Sequence, residues 1–306
     1  MAENGDLMLA PRDRGPLLAF SITVIISGLN FVAVRFSNRE LPPFEGAALR
    51  FGAAAILFFL YGRARRIPMP RGRSLTGALL FGFLGFSGSY ALLYWGLTTA
   101  PAAMGSVMLA LVPLITPLLA AAHGLERLRL RSFTGGALAV VGIALLLRDQ
   151  LVAAVPIAAV VALFAAAICA AESGVVVKYF PRSHPAATNA AAMAVGTVAL
   201  VALSLAGGET WVVPRSPTTI VALAYIVAST IVLFALVLYV LGRWSATATS
   251  LQFPLFPIIT VIAGSVLAGE GVTATFLVGT VVVGIGVLIA AGVTLRRKRT
   301  LAAEAS

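Results

Sequence analysis

Apolar runs of membrane-spanning length, separated by short polar gaps, decide what this chain can become. The first covers residues 17–34, and comparable runs follow at 44–61, 74–97, 100–122, 132–147, 153–177, 185–206, 218–241, 246–268 and 272–295. A run of about 20 mostly apolar residues is what a helix needs to cross the hydrocarbon core of a bilayer. Sixty per cent of the chain is apolar and 11% is charged, whereas a soluble domain carries roughly 25% charged residues. The expected fold is an all-α polytopic membrane protein with ten transmembrane helices, and no room is left for a soluble domain. The first run is longer than a signal-peptide core and lacks an obvious small-residue cleavage site, so it reads as a span.

Part of the chain is written twice. Ser106, Pro113, Glu126, Gly135 and Gly142 have counterparts at Ser250, Pro257, Glu270, Gly279 and Gly286, each 144 residues on, and Ile115–Thr116 matches Ile259–Thr260. Proline and glutamate are scarce here and carry the weight of the match. The period is far longer than that of solenoid repeats, so the duplication marks two half-molecules. The expected division is a tail at 1–16, a first repeat at 17–148, a second at 149–295 and a basic tail at 296–306.

Charge sets the expected orientation. With both termini in the cytoplasm, 17 of the 22 basic residues fall on the cytoplasmic side and four on the outer side, with Arg50 inside a span. Basic residues concentrate on the cytoplasmic side of membrane helices. Five spans per half is an odd number, so the second half enters the membrane upside down. Inverted repeats of this kind are a frequent plan for secondary transporters, with the substrate site between the halves. The net charge of +11 flanks the spans and forms no basic patch with interleaved aromatics, which argues against nucleic acid. A single cysteine, Cys169, excludes an intramolecular disulfide and a cysteine metal site. No phosphate-binding loop or H-E-x-x-H motif is present, so no enzyme activity, metal or cofactor is expected.

Polar groups inside spans are costly unless they line a cavity or find a partner. Thr23, Ser27 and Asn30 share a helical face, as do Phe83, Ser87, Tyr90 and Tyr94, and Ser245, Thr249, Gln252 and Phe256. Helices one, three, four, six, eight and nine hold such stripes and are expected to line the pathway. Asn30, Ser87, Tyr90, Tyr94, Glu172 and Gln252 are the candidate substrate contacts. A serine or threonine in such a place more often bonds its own helix backbone. Glu172 could carry a proton, bind a substrate amino group, or pair with a nearby cation. Arg50, about 9 Å into the second span at 1.5 Å per residue, could capture a carboxylate or make a structural contact to carbonyls or Glu45. Pro113 and Pro257 are candidate gate hinges, because proline removes a backbone hydrogen bond. Gly135, Gly142, Gly279 and Gly286 are candidate packing positions where helices five and ten meet each other or another subunit. His123 and His184 are expected in solvated loops.

The stretches "SGLNFVAVRF", "PPFEGAALRFGAA", "APAAMGSVMLALVPLITPLLAAAHGLERL", "GGALAVVGIALLL" and "SATATSLQFPLFPIITVIAGSVLAGE" together resemble two EamA domains of the drug/metabolite transporter superfamily. The likeness covers nearly the whole chain and rests on the order of the stretches, not on one sharp motif. It implies ten helices in inverted repeats and export of small metabolites, often amino acids, with YddG-like amino-acid exporters nearest. The spans lack the dense basic residues of sugar-phosphate exchangers. The expected function is alternating-access export of neutral or aromatic amino acids across the plasma membrane by a functional monomer. Drug efflux and a non-transporting membrane scaffold are the alternatives.

Overall fold

The computed structural model describes residues 14–37, 39–96, 99–100, 105, 108–146, 156–268 and 274–291, and among them every element is helical. Arg14–Ser37 forms α1, Pro43–Ala64 α2 and Arg73–Gly96 α3. Val112–Ala122 is α4, Leu130–Leu146 α5, Ile157–Tyr179 α6, Pro185–Ala206 α7 and Pro217–Leu241 α8. The ninth element, α9, is broken into Ala246–Ser250, a 3-10 turn at Phe253–Leu255 and Phe256–Ala268. Ala274–Ala291 is α10. Helices α2, α3, α6, α7 and α8 are long and apolar enough to cross a membrane, and α1, α4, α5 and α10 hold shorter apolar stretches. Ser106, Glu270 and both expected tails except for Arg14–Pro16 lie outside the described residues.

The helix starts follow from local chemistry. Pro43, Pro185 and Pro217 open their helices, where the missing N–H costs nothing and the fixed φ suits the first turn. Before α7 the His184 ring nitrogen accepts from the Ala186 N–H at 3.2 Å. His184 is thus exposed in the loop before α7 and also caps that helix. Before α9 the Ser245 hydroxyl accepts from the Ala248 N–H at 3.0 Å.

The helix contacts have an internal order. Helix α1 packs on α8 and α9, and α6 packs on α3 and α4. Exchanging the halves turns α1 into α6, α8 into α3 and α9 into α4, so these contacts map onto one another. Of the other extensive pairs, α2 with α7 and α5 with α10 map onto themselves, while α3 with α7 maps onto the smaller contact of α8 with α2. The result is two three-helix groups, α1/α8/α9 and α3/α4/α6, with two self-matched pairs beside them.

The α5–α10 pair is the most extensive contact in the fold. A Cβ added to Gly135 would meet the Ala290 amide nitrogen and lie 2.5 Å from the Gly286 carbonyl. One on Gly142 would lie 2.6 Å from the Val283 nitrogen and 2.9 Å from the Gly279 carbonyl. One on Gly286 would lie 2.5 Å from the Ala139 nitrogen. Backbone touches backbone along this seam, which small residues permit and larger ones forbid.

Carboxylates tie the halves together at both ends of the bundle. At one end Glu209 accepts from the Phe44 and Glu45 N–H groups at 3.1 and 3.0 Å, and Glu45 accepts from Val212 N–H. Both acids sit on unpaired backbone donors, as an N-terminal cap does. Glu40 accepts from the Arg215 and Ser216 N–H groups at 2.7 and 3.2 Å. At the other end Glu126, just past α4, accepts from the Ala246 and Thr247 N–H groups at 2.7 and 3.3 Å. That contact joins the α3/α4/α6 group to the α1/α8/α9 group.

Two outcomes follow. Gly142→Leu should lower the thermal midpoint of the detergent-solubilised protein by at least several degrees, because overpacking alone costs about 1–3 kcal/mol and backbone cannot yield here; an unchanged midpoint would show that the seam is looser than described. The Arg215 N–H, then the Thr219 side chain and the Ser216 N–H, hold the Glu40 carboxyl below its ordinary value of 4.5 against the opposing effect of desolvation. Its tie is therefore complete above that value and lost as pH falls through the lowered one. Amide exchange of Arg215 and Ser216, corrected for intrinsic pH dependence, should show an acid-side acceleration in the wild type and none in Glu40→Gln.

Candidate functional site

Between the two three-helix groups lies a cavity of about 210 Å³. Its wall draws on α1, α3, α4, α6, α8 and α9, and on α2 through Arg50. Of the candidate contacts, Asn30, Tyr90, Tyr94 and Gln252 line it. Ser87 and Glu172 do not.

Ser87 is displaced by a local change of helix type. Residues Gly82–Gly88 form a π-helical stretch within α3. A π turn holds more residues than an α turn, so positions beyond it rotate away from the 3.6-residue face. Phe83 is 56% exposed on the outside of the bundle, while Tyr90 and Tyr94 turn to the cavity with Ser89. Ser87 is buried and donates to the Phe83 carbonyl at 2.6 Å.

Glu172 is held elsewhere. Its Oε1 lies 3.2 Å from His123 Nε2, and the Tyr179 ring stands edge-on to that imidazole at 5.4 Å. His123, expected to be solvated, is a half-buried partner of Glu172 and not a loop residue in water. Its neighbours Ala171 and Ser173 reach the cavity.

The hydroxyls of the wall are mostly spent on their own helices. Thr116 donates to Val112 O, Ser173 to Ala170 O, Thr249 to Ser245 O and Ser250 to Thr247 O, at 2.7–2.9 Å. The amides and the cation differ. Ser229 Oγ lies 2.7 Å from Asn30 Oδ1, and Asn30 Nδ2 is buried with no partner. The next residue, Thr230, accepts from Arg50 Nε at 2.6 Å. Arg50 is 3% exposed. Its guanidinium lies 5.1 Å from the Phe51 ring centre and 5.7 Å from that of Tyr90, within cation–π range. Arg50 thus belongs to the wall and makes no contact to Glu45, whose carboxylate is used by Val212 N–H.

Aromatic rings form the apolar part of the wall. Tyr90 stands edge-on to Phe51 at 4.9 Å, Phe86 edge-on to Phe234 at 4.6 Å, and Tyr90 and Tyr94 are 6.3 Å apart. Such tilted and T-shaped pairs fix ring positions at little cost. The cavity therefore offers an apolar aromatic body with the Asn30 amide on α1, the Arg50 guanidinium on α2 and the Gln252 amide at the break in α9 among its polar groups.

The matched prolines stand at helix breaks. Pro257 follows the 3-10 turn at Phe253–Leu255, and Pro113 follows the turn in which Leu111 N–H donates to Met108 O. Both breaks border the cavity, at Leu109 and Val112 on α4 and at Phe253 and Phe256 on α9.

Residues 14–148 and 157–292 each match the EamA-like transporter family. The chain belongs to that family. It is a transporter and a multi-pass protein of the plasma membrane. It is similar to the uncharacterized transporter YyaM of Bacillus subtilis, 27% identical over 90% of this chain and 92% of the relative. It is also similar to a probable amino-acid metabolite efflux pump of Salmonella typhimurium, 26% identical over 88% of this chain and 92% of the relative. A crystal structure 20% identical in sequence superposes with a TM-score of 0.76 over 91% of this chain and 98% of its own length, which shows the shared fold.

Proposed function

We propose that this EamA-family protein is a secondary transporter that exports amino acids with aromatic or apolar side chains, or close metabolites of them, by alternating access. The observation that carries the reading is the cavity itself. It lies between two groups of helices drawn equally from the two halves, and its wall combines aromatic rings with a cluster of buried polar groups. A small amphipathic solute fits that wall: the rings take the body, and Asn30, Arg50 and Gln252 take the polar head. The name given to the Salmonella relative, an amino-acid metabolite efflux pump, supports the substrate class. Pro113 and Pro257 fit the role of hinges, since each stands where its helix is already broken beside the cavity. The four seam glycines fit the role of a fixed contact about which the groups turn. With both termini cytoplasmic, Glu126 stands at the inner end and Glu209 at the outer.

Proteoliposome counterflow tests this reading. Labelled phenylalanine, tryptophan, leucine and N-acetylated phenylalanine should accumulate above empty vesicles for at least one solute. Asn30→Ala and Tyr90→Leu should each reduce that uptake about five- to tenfold, or 1–1.4 kcal/mol of transition-state binding, without loss of folded protein. No flux for any solute would overturn the substrate class.

A further inference from the structure

Among the described residues that line the central cavity Arg50 is the one charged side chain, and no carboxylate of a described residue faces it there. A buried cation in a membrane span is expensive and is normally paired. Here the described residues supply one neutral hydrogen bond, from Nε to Thr230, and two aromatic faces. The two terminal nitrogens of the guanidinium make no hydrogen bond to a described residue. The acids closest in sequence are already engaged, Glu45 with Val212 N–H and Glu40 with Arg215 and Ser216 N–H. Glu172 is paired with His123.

A second unfilled donor lines the same cavity. Asn30 is 5% exposed, and its Nδ2 is buried without a partner. Asn30 and Arg50 are held by consecutive residues of α8, Ser229 and Thr230, and both line the cavity. Reversing the Asn30 amide would change a donor for an acceptor but leave the charge of the cavity at plus one. A planar guanidinium with two free nitrogens matches a carboxylate in a two-point contact.

We infer that the cavity selects monoanionic substrates: carboxylates with an aromatic or apolar body and no free ammonium group, such as N-acylated or deaminated amino acids. The carboxylate docks on the free nitrogens of Arg50 with Asn30 beside it, and the body lies against Tyr90 and Phe234. A zwitterionic amino acid brings an ammonium for which the wall has no carboxylate, so it binds more weakly than its N-acylated form. A recess of about 450 Å³ adjoins the cavity through the shared residue Leu241, and its charged side chains, Lys178, Arg182 and Arg243, are also all cations. Those three are where cytoplasmic-side basic residues stand in any case, so Arg50 carries the argument. The inference rests on the cavity being the transport site proposed above.

Four probes differing in charge test it on the purified protein in nanodiscs, by competition binding, and in proteoliposomes, by counterflow. They are N-acetylphenylalanine (anion), phenylalanine (zwitterion), phenylalaninamide (cation) and N-acetylphenylalaninamide (neutral). N-acetylphenylalanine should bind at least tenfold more tightly than phenylalanine, and phenylalaninamide should not compete. Arg50→Gln should weaken N-acetylphenylalanine at least tenfold, equivalent to 1.4 kcal/mol, and leave the neutral probe within twofold; Arg50→Lys should recover part of the loss. Should Arg50→Gln fail to fold, the wild-type ranking decides alone. Phenylalaninamide or phenylalanine binding as tightly as N-acetylphenylalanine would overturn the charge selection and leave the transport reading standing. Absence of binding and flux for all four probes would overturn both.

Discussion

The contact between α5 and α10 is the fixed point of this structure. Gly135 and Gly142 meet the backbone of Gly279–Ala290 with no side chain between, and Gly286 does the same to Ala139. In hydrocarbon, helices gain little from hiding apolar surface, so close backbone approach is what joins them. This seam binds the last helix of each half to the other and so sets how the halves meet. Once α5 and α10 are locked, α1/α8/α9 and α3/α4/α6 can assemble as matched groups with a cavity between them. The α2–α7 pair, where Gly52 and Gly196 also allow close approach to neighbouring helices, forms the second self-matched contact.

Much of this was legible in the sequence because hydropathy and duplication are long-range signals. The apolar runs located most helix limits within a few residues, and the 144-residue offset marked α5 and α10 as repeat equivalents. Side-chain facing was less legible. The face rule assumes 3.6 residues per turn throughout, and the π-helical stretch at Gly82–Gly88 broke that assumption midway along α3. Tyr90 and Tyr94 stayed on the cavity side and Ser87 did not. Glu172 was drawn away by His123, a partner 49 residues distant in sequence that no local pattern could name. Arg50 stood out as a charge in a span, but its place in the wall depends on Thr230 in the other half of the chain.

Symmetry and chemistry are thus divided between different residues. The duplicated prolines and glycines shape helix breaks and the seam, features both halves need. Asn30, Arg50 and Tyr90 have no duplicates and give the cavity one polar corner and one positive charge. A solute in such a cavity would meet a different wall on each side, although the scaffold around it is nearly twofold. Glu126 lies at the junction of the two roles. It caps the start of α9 from the end of α4, so one carboxylate holds the two helix groups closed at one end.

The claim that the two groups move as bodies about a shared cavity is tested most directly by distances between spin labels across both ends, in a Cys169→Ser background. One pair, at Leu128 and Arg243, spans the Glu126 end; the other, at Ile157 and Val213, spans the Glu209 end, and all four side chains are exposed. The measurement compares Glu126 with Glu126→Ala. The account predicts that loss of the carboxylate lengthens the 128–243 distance and, in the same molecules, shortens the 157–213 distance. A longer 128–243 distance with the 157–213 distance unchanged would mean that Glu126 holds only a local loop, and would contradict the account.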